Sequence, residues 1–171
     1  MHRSLYQVKH TASEEALKQL ILRKYDELVS LVESCDDELA NAEPETPGSN
    51  SLLQILVHCC GMMRRWSSSV NLGRVIPRDR DHEFEAKMSV TEVSTLAEHV
   101  RSAFVSDVEA TDMQSAPLQV PSGREHFWTA TCEGVLLHVL EEISQHLGQA
   151  QITYDSLIHT KQRVQTAAQS Q

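Results

Sequence analysis

Four long segments of the chain carry apolar residues at intervals of three and four, the spacing of one face of an α-helix. The clearest of these segments runs from about Ala130 past Tyr154 to Leu157. No stretch alternates apolar and polar residues as a half-buried strand does. Amphipathic helices bury their apolar faces by packing against one another. The pattern therefore predicts an all-α protein built as a four-helix bundle.

The first helix is bounded by a capping box and by a proline-rich stop. Thr11-x-x-Glu14 pairs an N-cap hydroxyl with a glutamate three residues later, so that each side chain can bond to the backbone N–H of the other residue. Apolar residues then recur at helical spacing as far as Leu39. The run 41–50 contains two prolines and a glycine, which predict the end of the helix. Residues 1–10 are predicted to form a loose N-terminal arm.

The middle of the chain predicts two further helices, each followed by a long connection. Helix two covers about residues 51–70, and helix three begins at a second capping box, Ser89-x-x-Glu92. The connections cover residues 71–88 and 111–129. Connections of this length are uncommon in a compact domain and are often functional. They also permit crossovers in place of simple up-and-down turns.

The helices are predicted to form one domain. The chain has 171 residues, which is enough for a single domain with its own core. The bundle is predicted to occupy residues 11–158. Residues 159–171 are polar and have no apolar period, so we expect a frayed or disordered C-terminal tail.

Charge and composition argue against several classes of partner and location. The formal net charge of −9 disfavours binding to nucleic acid or to an anionic membrane, since both select basic faces. The chain has no run of about eighteen apolar residues, and its first residues lead into no apolar leader segment. The four cysteines form no CxxC pair, which fits free, reduced thiols. We therefore predict a cytoplasmic protein with no nucleic-acid or membrane partner.

Glu142 and His146 are the candidate metal ligands on helix four. They lie four residues apart at the rim of its apolar face, so a carboxylate and an imidazole are neighbours that can share one ion. His58 lies at a similar rim of helix two and would meet them if the two helices are neighbours. An ordinary ion pair, or histidines at the edge of the core, would produce the same spacing. His138 lies almost on the opposite side of helix four, and we expect it to be solvated.

Four arginines of the long connections are candidate substrate-binding residues. Arg74, Arg78 and Arg80 lie in the first connection, and Arg124 lies in the second. A guanidinium group binds a carboxylate through a planar fork of N–H donors. These side chains could therefore receive a carboxylate of a substrate or of a thiol, and nothing in the sequence distinguishes among them.

Two segments resemble the signatures of the DinB/YfiT-like superfamily. In helix two, His58, Gly61, Arg65 and Trp66 match the pattern His-x-x-Gly-x-x-x-Arg-Trp. In helix four, the segment 132–151 resembles the second signature of the superfamily. The resemblance covers most of the predicted bundle. It is closest to the branch of mycothiol-dependent maleylpyruvate isomerases and related uncharacterised DinB-like proteins.

The resemblance implies a DinB-like bundle that holds one divalent metal ion through His58, Glu142 and His146. Zinc suits these ligands best, while nickel, iron and manganese use the same ligand types. The resemblance also implies a thiol-dependent S-transferase or isomerase, with mycothiol or bacillithiol as cofactor and a metal-bound thiolate as nucleophile. The chain departs from the branch at Met63, where an acid is frequent. We further predict a homodimer that acts on a small-molecule thiol and an electrophilic substrate.

Other classes of function stay open at the level of the sequence. The same ligand types resemble the facial triad of non-haem iron oxygenases, which would make the protein an oxidoreductase. A metal-bound water would make it a hydrolase. A third class is not catalytic: a metal-stabilised dimeric bundle that acts as a binding or stress-response module. Redox-active iron would indicate the oxidoreductase, and metal binding without turnover would indicate the binding module.

Overall fold

The computed structural model describes residues 9–169, except for the side chains of residues 164, 165 and 167–169. Within this range the chain forms six α-helices and no strand, so the predicted all-α bundle is confirmed. Most of the predicted N-terminal arm, residues 1–8, lies outside the described residues. The α-helices are α1 Ala12–Glu33, α2 Asp37–Asn41, α3 Leu52–Arg64, α4 Arg80–Glu83, α5 Val90–Glu109 and α6 Cys132–Gln169.

Capping boxes fix the start of three of the long helices. The two boxes predicted from the sequence, which open α1 and α5, are both present. A third box at the start of α3 pairs Ser51 with Gln54. In each box the side chains satisfy backbone N–H groups that have no partner within the helix. The helix starts are therefore encoded locally.

α1 ends earlier than the apolar spacing predicted. It stops at Glu33, and the short helix α2 follows, whereas the sequence predicted one helix as far as Leu39. The carboxylate of Asp36 accepts a hydrogen bond from the N–H of Leu39 at 2.8 Å. The hydroxyl of Ser34 donates to the carbonyl of Leu31 at 2.7 Å. These local side-chain hydrogen bonds compete with the helix and break it.

α6 continues well beyond Leu157, where the sequence predicted a polar tail to follow. The sequence predicted a frayed or disordered tail over 159–171, whereas the structure describes α6 as helical as far as Gln169. This stretch contains neither glycine nor proline, so no residue in it stops the helix. The ammonium group of Lys161 lies 3.9 Å from Oδ2 of Asp36, the N-cap of α2, three residues beyond the end of α1.

α3 continues past its last residue as a π-helical segment, Arg65–Asn71. Together, α3 and this segment cover the predicted helix two. A π-helix closes its turns with bonds between residues five apart and is frequent at functional sites. The carbonyl of Val70 accepts a hydrogen bond from the N–H of Gln119 at 3.0 Å. The connection between α5 and α6 thereby supplies a hydrogen-bond partner for a carbonyl group at the end of the π-helical segment.

Polar contacts at the two ends of the bundle show that α1 and α6 run parallel. Gln114 donates to Glu14 at 3.0 Å and to Glu133 at 3.3 Å, which joins the starts of the two helices. The contact between Lys161 and Asp36 joins the turn between α1 and α2 to the far part of α6. The connections that separate α1 from α6 along the chain therefore bring the two helices side by side in the same direction.

α3 and α5 also run parallel, and this determines the path of the first long connection. Gln54 at the start of α3 donates to Glu43 at 2.9 Å. Asn41 donates to the carbonyl of Met88, just before α5, at 2.8 Å. Both helices therefore begin beside the end of α2 and the residues that follow it. The connection between them, residues 72–89, returns along the length of the bundle, and we call it the crossover.

The four long helices bury one continuous apolar core. α1 packs against α5 and α6, and α3 packs against the same two helices. No helix in the described range is both long and apolar enough to cross a membrane. The largest fully buried side chains are Tyr25, Phe104, Ile21, Leu28, Leu52, Leu53, Ile55, Leu56, Met62, Met63, Met113 and Leu136.

Asp107 of α5 is a buried carboxylate that joins the π-helical segment to the bundle. Arg64 donates to its Oδ2 at 2.7 Å, and the hydroxyl of Ser67 donates to the same oxygen at 2.8 Å. Ser68 and Arg74 also donate to the carboxylate. Two guanidinium groups thus compensate one carboxylate that is only 1% exposed. A buried charge is tolerated when it is paired and fully hydrogen-bonded in this way.

Replacing Asp107 by alanine is expected to lower the free energy of unfolding by about 3 kcal/mol, because removal of one partner leaves charged groups uncompensated. Urea denaturation measures this change. Asp26→Ala is the matched control, since Asp26 pairs with Arg101 at 2.8 Å and both side chains are about half exposed. The control should lose less than about 1 kcal/mol. A loss in Asp107→Ala no larger than in the control would contradict the role of the buried carboxylate.

Candidate metal centre

His58 of α3 is held in one orientation by a buried carboxylate. Its Nδ1 lies 2.9 Å from Oε2 of Glu83. Because an ionised carboxylate only accepts hydrogen bonds, Nδ1 carries the proton and Nε2 keeps its lone pair. The ring of Phe84 stacks on the imidazole, with centroids 4.8 Å apart. Burial lowers the pKa of His58 although the bond to Glu83 opposes the shift, so the neutral form that binds metals is favoured.

α6 contributes Glu142 and His146, which lie one turn apart. Nε2 of His146 is 3.9 Å from Oε2 of Glu142. Nδ1 of His146 donates to the side-chain oxygen of Gln149 at 3.1 Å, which leaves its Nε2 free. The imidazoles of His58 and His146 meet edge to face, with centroids 4.8 Å apart. Each ring is therefore held through Nδ1 and keeps Nε2 as a potential ligand atom.

The donors of His58, Glu142 and His146 fit a divalent metal ion. One ligand atom from each residue lies within 4.8 Å of the other two. Two neutral imidazole nitrogens and one carboxylate oxygen are ligands that Zn²⁺ and other first-row divalent ions accept. Three protein ligands also leave coordination positions open for a small molecule. The sequence predicted that His58 meets the other two residues only if predicted helices two and four are neighbours. These helices correspond to α3 and α6, which pack against each other.

Glu83 is a site residue that the sequence analysis missed. Its carboxylate is 7% exposed and accepts two hydrogen bonds from Arg78, at 2.6 Å to Oε1 and 2.8 Å to Oε2. A carboxylate behind a histidine is a common arrangement at metal sites, where it orients the ring and raises its basicity. Met63, where the isomerase-like branch frequently has an acid, is fully buried in the core. In this chain the acid that contacts His58 is thus Glu83, which comes from the crossover, and not a residue at position 63 of α3.

Gly61 provides the space that the Glu83 carboxylate occupies. A Cβ atom at Gly61 would overlap Oε1 of Glu83 and would lie 3.0 Å from Nε of Arg78. Glycine in a helix interior destabilises it by about 1 kcal/mol relative to alanine. Its presence three residues after His58 is therefore the sequence signal that could have indicated a close approach by another segment. This contact also gives a physical reason for the glycine of the helix-two signature.

A cavity of about 340 Å³ opens beside the ligand cluster. Three of the four predicted arginines, Arg78, Arg80 and Arg124, line this cavity together with two of the candidate ligands, His58 and Glu142. The fourth, Arg74, is placed elsewhere because its guanidinium donates to the buried Asp107. The cavity is lined by His58, Met62, Arg65, Trp66, Arg78, Arg80, Pro121, Arg124, His138 and Glu142.

His138 lies in the wall of this cavity, so the prediction that it is solvated is wrong. Its ring stacks on Trp128 with centroids 3.9 Å apart and meets Trp66 edge-on at 5.2 Å. The side chain is only 14% exposed. A turn of 3₁₀-helix, Phe127–Ala130, folds Trp128 over this side of α6. Gly134 permits the approach, because a Cβ there would overlap the carbonyl of Trp128.

The four cysteines of the chain are buried, and none of them lines the cavity. Burial raises the pKa of the Cys60 thiol to about 12 and that of Cys59 well above its usual value. Sγ of Cys60 also lies 3.1 Å from the hydroxyl of Tyr25, which donates to the carbonyl of Ala97. Protonated, inaccessible thiols are poor nucleophiles at neutral pH. The cysteines of this chain are therefore poor candidates for a nucleophile in the cavity.

Comparison with known families matches the region that contains this site. The family model described as MST, mycothiol-S-transferase, matches residues 16–157. The matched range covers most of the chain and includes the three candidate ligands together with Glu83. No curated protein matches the chain.

Gly61→Ala is expected to displace the Glu83 carboxylate while the bundle stays folded. Alanine is a better helix former than glycine, but its Cβ forces the flexible side chains of Glu83 and Arg78 away from His58. Loss of such a partner typically lowers metal affinity by about 10- to 100-fold. Competition with a chromogenic zinc chelator measures the change.

Gly148→Ala is the matched control for this variant. It replaces another helical glycine, and a Cβ at this position meets nothing within 4 Å. Circular dichroism should show both variants to be helical, with zinc affinity reduced only in Gly61→Ala. An unchanged affinity in Gly61→Ala would show that Glu83 does not support a metal ligand.

Proposed function

Because the chain belongs to the mycothiol-S-transferase family, we propose that it is a metal-dependent enzyme that joins a low-molecular-weight thiol to an electrophilic substrate. The observation that carries this proposal is the cluster of His58, Glu142 and His146 beside a cavity large enough for a small molecule. Family membership favours mycothiol as the thiol, and bacillithiol carries the same reactive group.

We propose that His58, Glu142 and His146 hold a divalent ion, and zinc suits this donor set best. A divalent ion supplies positive charge that lowers the pKa of a coordinated thiol, so that thiolate is present at neutral pH. The residues of the chain prepare the ligands for this task. Glu83 holds the ring of His58, and Gln149 holds the ring of His146, so both Nε2 atoms are available without rearrangement.

The proposed transfer is a substitution at an electrophilic carbon. A bond forms between the thiol sulfur and this carbon, and the bond from carbon to the leaving group breaks. The leaving group departs with its electron pair, and the thiol proton passes to solvent. The reaction needs no oxidant or reductant. Trp66 and His138 form an aromatic wall on one side of the cavity, which limits access of bulk water to the reacting atoms.

The buried cysteines support an external thiol as the source of the sulfur. Cys59 and Cys60 are at most 2% exposed, and burial raises the pKa values of both thiols. A nucleophilic sulfur in the cavity must therefore arrive with a small molecule. A cytoplasmic location, where small thiols stay reduced, and a homodimer are parts of the same proposal.

Elemental analysis by mass spectrometry, on protein purified without a metal-affinity tag, is expected to find a near-stoichiometric amount of zinc. His58→Ala and His146→Ala should each abolish metal binding, and Glu142→Gln should weaken it because one ligand charge is lost. His138→Ala should retain the metal, since this ring only lines the cavity. Equal loss of metal in all four variants would contradict the ligand assignment. Redox-active iron in place of zinc would favour the oxidoreductase.

The zinc-loaded protein should accelerate the reaction of mycothiol with a neutral alkyl halide such as monochlorobimane. Fluorescence of the thioether product gives the rate, and His58→Ala should react at the uncatalysed rate because the ligand set is incomplete. Metal binding without acceleration, with mycothiol and with bacillithiol, would contradict the enzyme and leave a non-catalytic binding module.

A further inference from the structure

We propose that the electrophile accepted by this site carries a carboxylate, which Arg65, Arg80 and Arg124 bind in the cavity. The proposal rests on the transfer described above and adds the chemical class of the second substrate. Arg65 begins the π-helical segment, Arg80 begins α4, and Arg124 lies in the connection between α5 and α6. Three separate parts of the chain thus bring a guanidinium to one cavity.

None of these three guanidiniums has a carboxylate partner in the part of the chain that the structure describes. Five other arginines do, at distances of 3.8 Å or less: Arg23, Arg64, Arg74, Arg78 and Arg101. Arg163, in the polar end of α6, is the remaining described arginine without an ion pair. The unpaired arginines are therefore concentrated at the cavity and are not spread over the surface.

The charge of the cavity is opposite to that of the whole chain. The chain has a formal net charge of −9, yet the cavity lining contains four arginines and one acid, Glu142. Glu83 compensates only Arg78. The guanidinium of Arg80 lies over the ring of Phe84, with Cζ 5.4 Å from its centroid, and this contact positions the charge without neutralising it. A positive cleft in an acidic protein attracts and retains an anion.

The geometry of arginine and the chemistry of mycothiol, the thiol that family membership favours, assign this anion to the acceptor. A guanidinium presents a planar fork of donors that matches a carboxylate. Mycothiol carries hydroxyl and amide groups but no ionised group besides its thiol, so it does not require three guanidiniums. The aromatic faces of Trp66 and His138 border the same cavity and suit the apolar body of an organic acid.

Tryptophan fluorescence can report binding at this cavity, because the chain has only two tryptophans: Trp66 lines the cavity, and Trp128 lies against Trp66 with ring centroids 5.2 Å apart. We expect succinate to change the emission saturably and to bind about tenfold more tightly than neutral succinamide. Measurements on metal-free protein exclude coordination of succinate by a metal ion.

Three alanine variants and a matched control test which residues bind the anion. Arg65→Ala, Arg80→Ala and Arg124→Ala should each weaken succinate binding several-fold, because each removes one fork of donors. Arg163→Ala removes an exposed, unpaired arginine outside the cavity and should bind succinate as the wild type does. Equal affinity for succinate and succinamide, or arginine variants that bind like the control, would overturn the carboxylate site.

A kinetic experiment distinguishes a charged acceptor from a charged thiol. The zinc-loaded protein is given mycothiol, or bacillithiol with its malate carboxylates, together with para-(chloromethyl)benzoate or the neutral para-(chloromethyl)benzamide. With mycothiol we expect kcat/KM about tenfold higher for the benzoate, and this preference should disappear in the arginine variants. An arginine-dependent preference for bacillithiol, with no preference between the acceptors, would overturn the proposal.

Two patterns of results separate this proposal from the function on which it rests. Zinc content and transfer to neutral acceptors can both be intact while the preference for anions is absent, and then only the carboxylate site is refuted. A protein that holds no zinc and transfers no thiol would contradict the enzyme itself. In that case the arginines lose their role as an acceptor site even if succinate binds.

Discussion

The ion pair between Glu83 and Arg78 is the contact on which the candidate metal centre depends. Both residues belong to the crossover, and the Glu83 carboxylate lies 2.9 Å from Nδ1 of His58 on α3. Without Arg78 the carboxylate would be a buried charge with no opposite partner, which is unfavourable by several kcal/mol. Without Gly61 there would be no space for it. The orientation of a candidate ligand on a helix is thus determined by residues of a connection.

Features that depend on local periodicity could be predicted from the sequence. Residues four apart on a helix share a face in any tertiary arrangement, so Glu142 and His146 are neighbours wherever α6 packs. Capping boxes act within four residues and mark the starts of α1 and α5 correctly. The addition of His58 to this pair required one further condition, the packing of α3 against α6. The resemblance of helix two to the superfamily signature implied that His58 joins the other two residues.

Features that depend on contacts between distant segments could not be predicted in this way. A helical wheel gives the angle of His138 relative to the apolar face of α6, but it does not show that the turn carrying Trp128 folds over the other side. The partner of His58 lies 25 residues along the chain, in a charged run that resembles any solvated loop. The continuation of α6 through the polar residues after Leu157 rests on the absence of a stop signal, and such an absence is a weaker signal than the presence of one.

The candidate ligands and the arginines of the cavity belong to two kinds of structure. The helices carry the candidate ligands, whereas Arg80 and Arg124 belong to the connections that border the cavity. Insertions in surface connections change stability only slightly, because the entropy of loop closure grows slowly with length. Provided that Arg78 and Glu83 are kept, the connections can therefore vary while the bundle does not. A change confined to the connections would in this way alter which molecules the cavity accepts, while the helices that carry the candidate ligands stay the same.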